Sequence, residues 1–298
     1  MARRHWAGLL WRVGRLAWRP RGATDRLVRE SYDRIAGGYD DAWTNHMRGL
    51  SLELVERVGV GAGERCIDLT CGTGFITAEL ARRSGVRVTG VDASTGMLEV
   101  ARRQHGAACE FVEADALEFL RGQETGSADV ITCGWGLGYT RPWGVVGEAA
   151  RVLRPGGRLA VIDNSLWSLW RVIWCAAQTF AERPEALEHV MRVRFLPWNW
   201  VLGGMMRARG LGVIYRADGR KSYVVASGAE AIGRLTATGA AAGFEFASRA
   251  EMKEEIFERF ARNIEGTCRT AHGQDGGDTG AGGIEIAHRY LAAIGRKR

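Results

Sequence analysis

Between residues 65 and 163, short apolar runs alternate with stretches of helical periodicity. The runs are Cys66–Leu69, Val86–Asp92, Cys109–Val112, Val130–Cys133 and Leu159–Ile162. Helical spacing fills the gaps at Phe75–Arg83, Gly96–Gln104 and Val145–Leu153. Strands that alternate with helices build a parallel sheet, so the pattern predicts an α/β fold with a doubly wound, mostly parallel sheet. Arg154-Pro155-Gly156-Gly157 reads as a turn, because proline presets φ and glycine accepts positive φ. A later helix carries Ile232, Leu235, Thr236 and Gly239 on one face and leads into Gly243–Phe246, read as a late strand.

Between the fifth run and that helix lie about sixty residues that the sheet does not need. They hold Trp167, Trp170, Trp174, Trp198 and Trp200, five of the chain's eleven tryptophans. Positions 167, 170, 174 and 177 share one helical face, so the insertion reads as a helical, Trp-rich cap. Gly273–Gly283 is too glycine-rich and polar to pack and reads as a mobile loop. The expected division is an N-terminal amphipathic helix at 1–28, a sheet core at 29–165 and 223–255, and the cap at 166–222. A C-terminal helical lid with the glycine-rich loop takes 256–298. In the first segment, Trp6, Leu9, Leu10, Val13, Leu16 and Ala17 cluster on one face. Arg4, Arg12, Arg15 and Arg19 oppose them, Trp11 and Trp18 flank the boundary, and Pro20 ends the pattern. That profile suits a helix lying in a membrane interface, and equally one docked on its own protein or on a second subunit.

Composition narrows the class. With 298 residues, 46% hydrophobic and 25% charged, the chain is neither disordered nor fibrous. The most apolar long stretch, Leu159–Phe180, carries Asp163, Asn164 and Arg171, which argues against a spanning helix. Arg12 and Arg15 interrupt Leu9–Trp18, so this stretch does not read as a secretory signal. Of the net charge of +7, residues 1–30 hold eight arginines against Asp25 and Glu30. The remainder is near neutral, which speaks against a domain-wide basic face and against nucleic acid as partner. The six cysteines, at 66, 71, 109, 133, 175 and 268, form no CxxC pair and no cysteine/histidine cluster. No metal site is expected, and reduced thiols fit a cytoplasmic setting.

The chemistry centres on Cys66-Ile67-Asp68-Leu69-Thr70-Cys71-Gly72-Thr73-Gly74-Phe75, a strand running into a glycine-rich turn and a helix. Glycines let the backbone turn tightly and approach a ligand closely. Asp68 ends the first strand, Asp92 the second, and Asp115 follows the third; in a doubly wound sheet these ends line one crevice. Asp92 stands twenty residues beyond Gly72, the spacing suited to ribose hydroxyls. A dinucleotide would need a third glycine where Thr77 stands, and Asp68 would oppose its phosphates. A cationic ligand with ribose and adenine but no phosphate fits better, namely S-adenosylmethionine.

With Ser31-Tyr32-Asp33-Arg34-Ile35-Ala36-Gly37-Gly38-Tyr39-Asp40, Val91-Asp92-Ala93-Ser94, Arg151-Val152-Leu153-Arg154-Pro155-Gly156-Gly157 and Ala242-Gly243-Phe244, the chain resembles the class I S-adenosylmethionine-dependent methyltransferases. The likeness is to their quinone and small-molecule type, covers roughly 30–165, and returns near 223–247. It implies a Rossmann-like fold in which Asp68, Thr70, Gly72 and Gly74 hold the amino-acid end of the cofactor. Asp92 and Ala93 would meet its ribose, and Asp115 and Ala116 its adenine, with Tyr32 and Gly134 completing the set. Thr70 departs from the glycine usual at its place and narrows the turn's freedom.

Tyr39, His46 and Asp163 are the catalytic candidates, although Tyr39 equally suits packing, His46 a satisfied histidine, and Asp163 the start of the next helix. Trp135, Tyr139, Trp167, Trp170 and Trp174 are the candidates for an acceptor pocket. The expected acceptor is a lipophilic small molecule such as a quinone, prenylated aromatic, aminolipid or polyketide. Further partners are an anionic membrane surface met through residues 1–20 and a second copy of the chain. The competing readings are a nucleic-acid methyltransferase, disfavoured by Cys133-Gly134-Trp135-Gly136 after the fourth strand, and a cofactor-binding scaffold without turnover.

Overall fold

The computed structural model describes residues 4–18, 22–240, 242–269 and 283–298. From the N-terminus the elements are α1 (Trp6–Ala17), α2 (Gly22–Ile35), α3 (Asn45–Val58), β1 (Cys66–Leu69), α4 (Phe75–Ser84), β2 (Val88–Asp92) and α5 (Thr95–His105). Next come β3 (Cys109–Glu113), α6 (Ala116–Arg121), β4 (Ala128–Gly134), α7 (Pro142–Val152), β5 (Leu153–Asn164) and α8 (Trp170–Glu182). The chain ends with α9 (Asn199–Ala208), β6 (Leu211–Val225), α10 (Gly228–Ala237), α11 (Ala242–Ala247), α12 (Lys253–Cys268) and β7 (Ile284–Lys297). It divides into two compact units. One holds residues 32–167, 193–219 and 289–298; the other holds 1–31, 168–192 and 220–288.

The first unit carries the sheet, whose strand order is β3-β2-β1-β4-β5-β7-β6. β1 to β5 pair in parallel, and β7 joins β5 antiparallel. The five apolar runs are the cores of β1 to β5, and alternation along them feeds two layers. Ile67, Leu69, Ile131, Cys133, Leu159 and Val161 pack with Leu117, Val146 and Leu202 from α6, α7 and α9. Cys66, Val130, Ala160 and Ile162 pack with Leu54, Leu80 and Leu98 from α3, α4 and α5. Central strands covered on both faces are buried along their length, as β1 and β4 are, and the polar positions they keep, Asp68 and Thr132, are bonded to each other. Chain order reverses between β1 and β4, and that reversal opens a crevice at their carboxyl ends.

The end of the sheet departs from expectation. Gly243–Phe246, read as a late strand, lies in α11, where flanking alanines favour helix. The late strands are β6, in the segment expected as cap, and β7, in the segment expected as helical lid. Ile284, Ile286 and His288 alternate with less buried neighbours, and Leu291–Ile294 is a continuous buried run, both of them strand patterns. The sheet is therefore completed by β7 and β6, while 223–255 belongs to the second unit. Arg154–Gly157, expected as a turn, is taken into β5, where the register with β4 shifts and Gly156 holds φ 80°.

The second unit gathers distant segments around one core. Leu9 and Leu16 of α1 meet Val172, Cys175 and Phe180 of α8, with Ile232 and Leu235 of α10. Ile256, Phe260 and Ile264 of α12 and Ile284 and Ile286 of β7 complete it. α1 spans Trp6–Ala17 and α2 begins at Gly22, so the expected single helical segment over 1–28 holds two helices. Arg19, Pro20 and most of the glycine-rich stretch lie outside the described residues. Among the described residues, no helix is long and apolar enough to cross a membrane.

The β5 irregularity is anchored by one carboxylate. Asp129 accepts the Arg65 amide at 2.7 Å and the Arg154 guanidinium. Asp129→Ala should cost about 1–3 kcal/mol by leaving the Arg65 amide unpaired and releasing Arg154. Urea unfolding checks this, and an unchanged midpoint would place the anchor elsewhere.

Candidate functional site

The turn from β1 into α4 is made by residues that a side chain strains. Thr70, Gly72 and Gly74 have φ of 53°, 54° and 87°. Nothing lies within 4 Å of where a Cβ on Gly72 would stand, so the loop leaves open space above it. At Gly74 a Cβ would come 2.9 Å from the Phe111 ring, so there glycine is needed for packing. Thr70 is the costly member, because a left-handed conformation costs an L-residue roughly 1–2 kcal/mol. Its hydroxyl donates to the Leu69 carbonyl at 2.6 Å and lies 3.4 Å from Cys133 Sγ. A Cβ on Gly136 would stand 2.5 Å from the Thr70 Cβ, so Thr70 takes the room that Gly136 leaves.

Carboxylates hold this loop. Asp92 Oδ2 accepts the Gly72 amide at 2.8 Å, and its Oδ1 accepts the Ser94 amide at 2.9 Å. Burial, only partly offset by those amides, raises its carboxyl above the usual range. Asp68 is 1% exposed and accepts the hydroxyls of Thr77 and Thr132, each at 2.7 Å. Burial pushes its carboxyl up to about 7 against the pull of both threonines. Asp68, expected at the amino-acid end of the cofactor, is thus a buried carboxyl with one hydroxyl on each oxygen. Asp115 caps α6, accepting the Leu117 and Glu118 amides at 2.9 and 3.1 Å through Oδ1. Ala116 follows it, buried, and Ala93 stands half-buried between Asp92 and Ser94.

Two further aspartates of the opening motif, Asp33 and Asp40, bind its neighbours. Asp33 accepts the Ser94 hydroxyl at 2.6 Å and the Gly96 amide at 2.9 Å. Asp40 accepts the Thr73 hydroxyl at 2.5 Å, the Thr44 hydroxyl at 2.7 Å and the Gln104 amide at 3.1 Å. The segment before β1 is thus tied both to the glycine loop and to the start of α5. Its tyrosines follow. The Tyr32 ring meets Tyr39 at 6.0 Å and Tyr139 at 5.9 Å, each edge to face. Burial raises all three phenols, so they stay protonated.

The loop after β4 is held by Asp163 at the end of β5. Asp163 accepts the amides of Gly138 at 2.6 Å and Asn164 at 2.8 Å, and burial pushes it up to about 7. Above that loop lie two residues with no sequence signal, Arg194 and Phe195. Arg194 donates from its amide to the Gly138 carbonyl at 2.7 Å and from Nη1 to the Thr140 carbonyl at 2.9 Å. Phe195 packs on Tyr139 at 5.4 Å and fills the room where Gly138 lacks a side chain.

Other candidates go elsewhere. At Gly134 the end of the Ile76 side chain stands where a Cβ would be. Trp135, at φ 62°, points its indole to the Ser51 hydroxyl at 3.0 Å and packs edge-on with Trp43 and Tyr290. Trp167 precedes α8 and leans on Trp198 in the sheet unit. Trp170 and Trp174 sit on an exposed face of α8 in the second unit, with Trp174 stacked on Trp6. Helical spacing put these rings on one side but could not say whether that side faces protein or water. His46 stands half-buried in the first turn of α3. Among the described residues no group of acidic, histidine and cysteine side chains could hold a metal.

Comparison with known proteins agrees with this geometry. A family model described as a methyltransferase domain matches residues 66–157. The demethylmenaquinone methyltransferase of Clavibacter sepedonicus is 36% identical over 147 residues, 46% of this chain and 58% of that one. Its match therefore spans less than two thirds of that relative's length. The demethylmenaquinone methyltransferase of Beutenbergia cavernae is 34% identical over 218 residues, 64% of this chain and 88% of that one. Among solved structures, the YcgJ protein of Bacillus subtilis superposes with a TM-score of 0.55 at 18% identity, covering 85% of this chain and 99% of that one. At that identity the likeness shows a shared fold.

The buried carboxyls set a pH dependence. Asp68 and Asp163 have folded values near 7 against about 4 in an unfolded chain. Between those values the folded protein holds protons that the unfolded chain has lost. Their contribution is complete below about pH 4 and is lost as pH rises through about 7. Guanidinium unfolding should show stability falling from about pH 4.5 to about pH 7.5, and Asp68→Asn should flatten the slope. A profile that rises over this range would contradict the burial of both groups.

Proposed function

Because the chain belongs to the class I S-adenosylmethionine-dependent methyltransferases, we propose that it methylates a lipophilic small molecule from S-adenosylmethionine. The observation that carries the acceptor class is the cluster of Tyr32, Tyr39, Tyr139 and Phe195 beside the carboxylate-held loop. Neutral phenols and an apolar ring favour a flat, weakly polar acceptor over a charged one. The names of the Clavibacter and Beutenbergia relatives point to quinone chemistry, and prenylated aromatics and aromatic polyketides share that character, whereas the charged head of an aminolipid fits it less well.

The residues present fit the cofactor. The open space over Gly72 would take the amino-acid end of the cofactor. Asp92, with lone pairs beyond those given to Gly72 and Ser94, would accept the ribose hydroxyls. Asp115 keeps Oδ2 for the adenine edge beside Ala116. When bound, S-adenosylmethionine supplies an electrophilic methyl group on a sulfonium, taken by in-line displacement. The protein's part is alignment and exclusion of water. Thr70 and Asp68 would set the loop's shape, and Tyr32 and Tyr39 would orient the reacting ends. Asp163, engaged by two amides, is assigned to holding the β4 loop, and His46 remains the candidate base. Six buried free cysteines support a reducing, cytoplasmic setting. An anionic membrane surface met through the N-terminal segment would supply a lipophilic acceptor, and a second copy of the chain is the other cover for that segment.

Two measurements test the reading. Calorimetry should show that Asp92→Ala weakens S-adenosylmethionine binding roughly ten- to hundredfold, a loss of about 1.5–3 kcal/mol in all. NAD should show no saturable binding. With labelled S-adenosylmethionine and detergent-dispersed polyprenyl hydroquinone, label should pass to the organic phase and not to DNA or RNA. Binding with no transfer to any lipophilic acceptor would leave a scaffold, and labelled nucleic acid would reverse the substrate class.

A further inference from the structure

The second unit exposes an aromatic strip that neither its core nor the proposed chemistry uses. In α1 the core takes Trp6, Leu9, Val13 and Leu16, while Leu10, Trp11 and Trp18 remain 70%, 62% and 92% exposed. At about 100° per residue these three fall in one arc beside Trp6, with Arg15 at its edge. In α8, Trp170, Ile173 and Trp174 stand at i, i+3 and i+4 and are each about half exposed. The two sets are joined. Trp6 stacks on Trp174 at 5.3 Å and 16°, and Leu10 stands one helical turn from Trp6. Scattered exposed apolar side chains are ordinary, but six large ones in a continuous strip mark an interaction surface.

The charge of the strip names its partner. α1 holds Arg12 and Arg15 with no acidic residue, and α8 holds Arg171 with none before Glu182. Arg15 lies 4.7 Å over the Trp11 ring, whereas Arg4 faces Glu182 at 3.9 Å and Arg12 donates to the Leu187 carbonyl. Residues 1–30 carry eight arginines against two acidic residues. A second copy would set like charge against like charge. We propose that this strip rests on an anionic lipid bilayer, with Leu10, Trp11, Trp18, Trp170 and Ile173 at the headgroup boundary and arginines against phosphates. The face differs from the one the sequence pattern favours, since Leu9, Val13 and Leu16 are spent on the unit's own core. The proposal rests on the lipophilic-acceptor reading for its purpose, because it puts the enzyme where such an acceptor dissolves.

The full-length protein is sedimented with vesicles of phosphatidylcholine alone or mixed with phosphatidylglycerol, without cofactor or acceptor, so failure of the methyl-transfer reading cannot move the result. Partitioning is expected on the anionic vesicles, weakened by salt because exposed charges are screened. The Trp11→Ala/Trp18→Ala variant should partition about tenfold more weakly, with an unchanged melting temperature because both rings are exposed. Trp200→Ala, which removes an exposed tryptophan of the sheet unit, should partition as the parent does. The proposal is overturned by no partitioning at low salt, by equal partitioning on neutral vesicles, or by full partitioning of the double variant. A dimer in solution that the double variant dissociates would overturn it as well.

Discussion

Everything at the candidate site depends on a backbone turn that would not hold its shape unaided. Three residues of the turn sit at positive φ, one of them a threonine, and carboxylates from separate elements fix it. Asp92 takes the Gly72 amide, Asp40 the Thr73 hydroxyl, and Asp68 braces Thr77 and Thr132 from below. Each is a charge-capable acceptor in a partly or fully buried setting, where such bonds are stronger than in water and costly to leave unmade. The same contacts join β2, the opening motif and β4 to the loop. The geometry offered to a cofactor is therefore a property of the sheet's whole carboxyl edge.

Legibility followed the physics of each element. β1 to β5 could be read because short runs rich in apolar residues alternate with helical spacing, and the glycine loop because Gly72 and Gly74 hold positive φ. β7 carries an equally clear run at Leu291–Ile294, but the glycine-rich stretch before it separates it from the other strands and suggests a lid instead. β6 was hidden by its chemistry, because its exposed positions include Arg216, Asp218, Arg220 and Ser222, which read as solvated loop. At the site, the acidic residues were legible by spacing, whereas their partners were not. Asp33 and Asp40 stood in a recognisable motif without a role. Arg194 and Phe195 had no signal, since a residue that covers a distant loop has no periodicity of its own.

The tryptophans show the limit of periodicity most plainly. Spacing grouped Trp167, Trp170 and Trp174 correctly in sequence terms, yet α8 begins at Trp170, and its aromatic side is turned outward. α1 shows the complement. Its strongest apolar stripe is used internally, and a second stripe is left in solvent. The second unit has no contiguous signature because its core is drawn from three separated stretches of chain, so no window of sequence contains it.

Thr70 and Gly136 carry a consequence of another kind. With threonine at 70, any side chain at 136 would meet its Cβ at 2.5 Å. In this backbone a side chain at 136 and threonine at 70 exclude one another. The loops after β1 and β4 are therefore coupled through a single contact, so a residue accepted in one fixes what the other can carry.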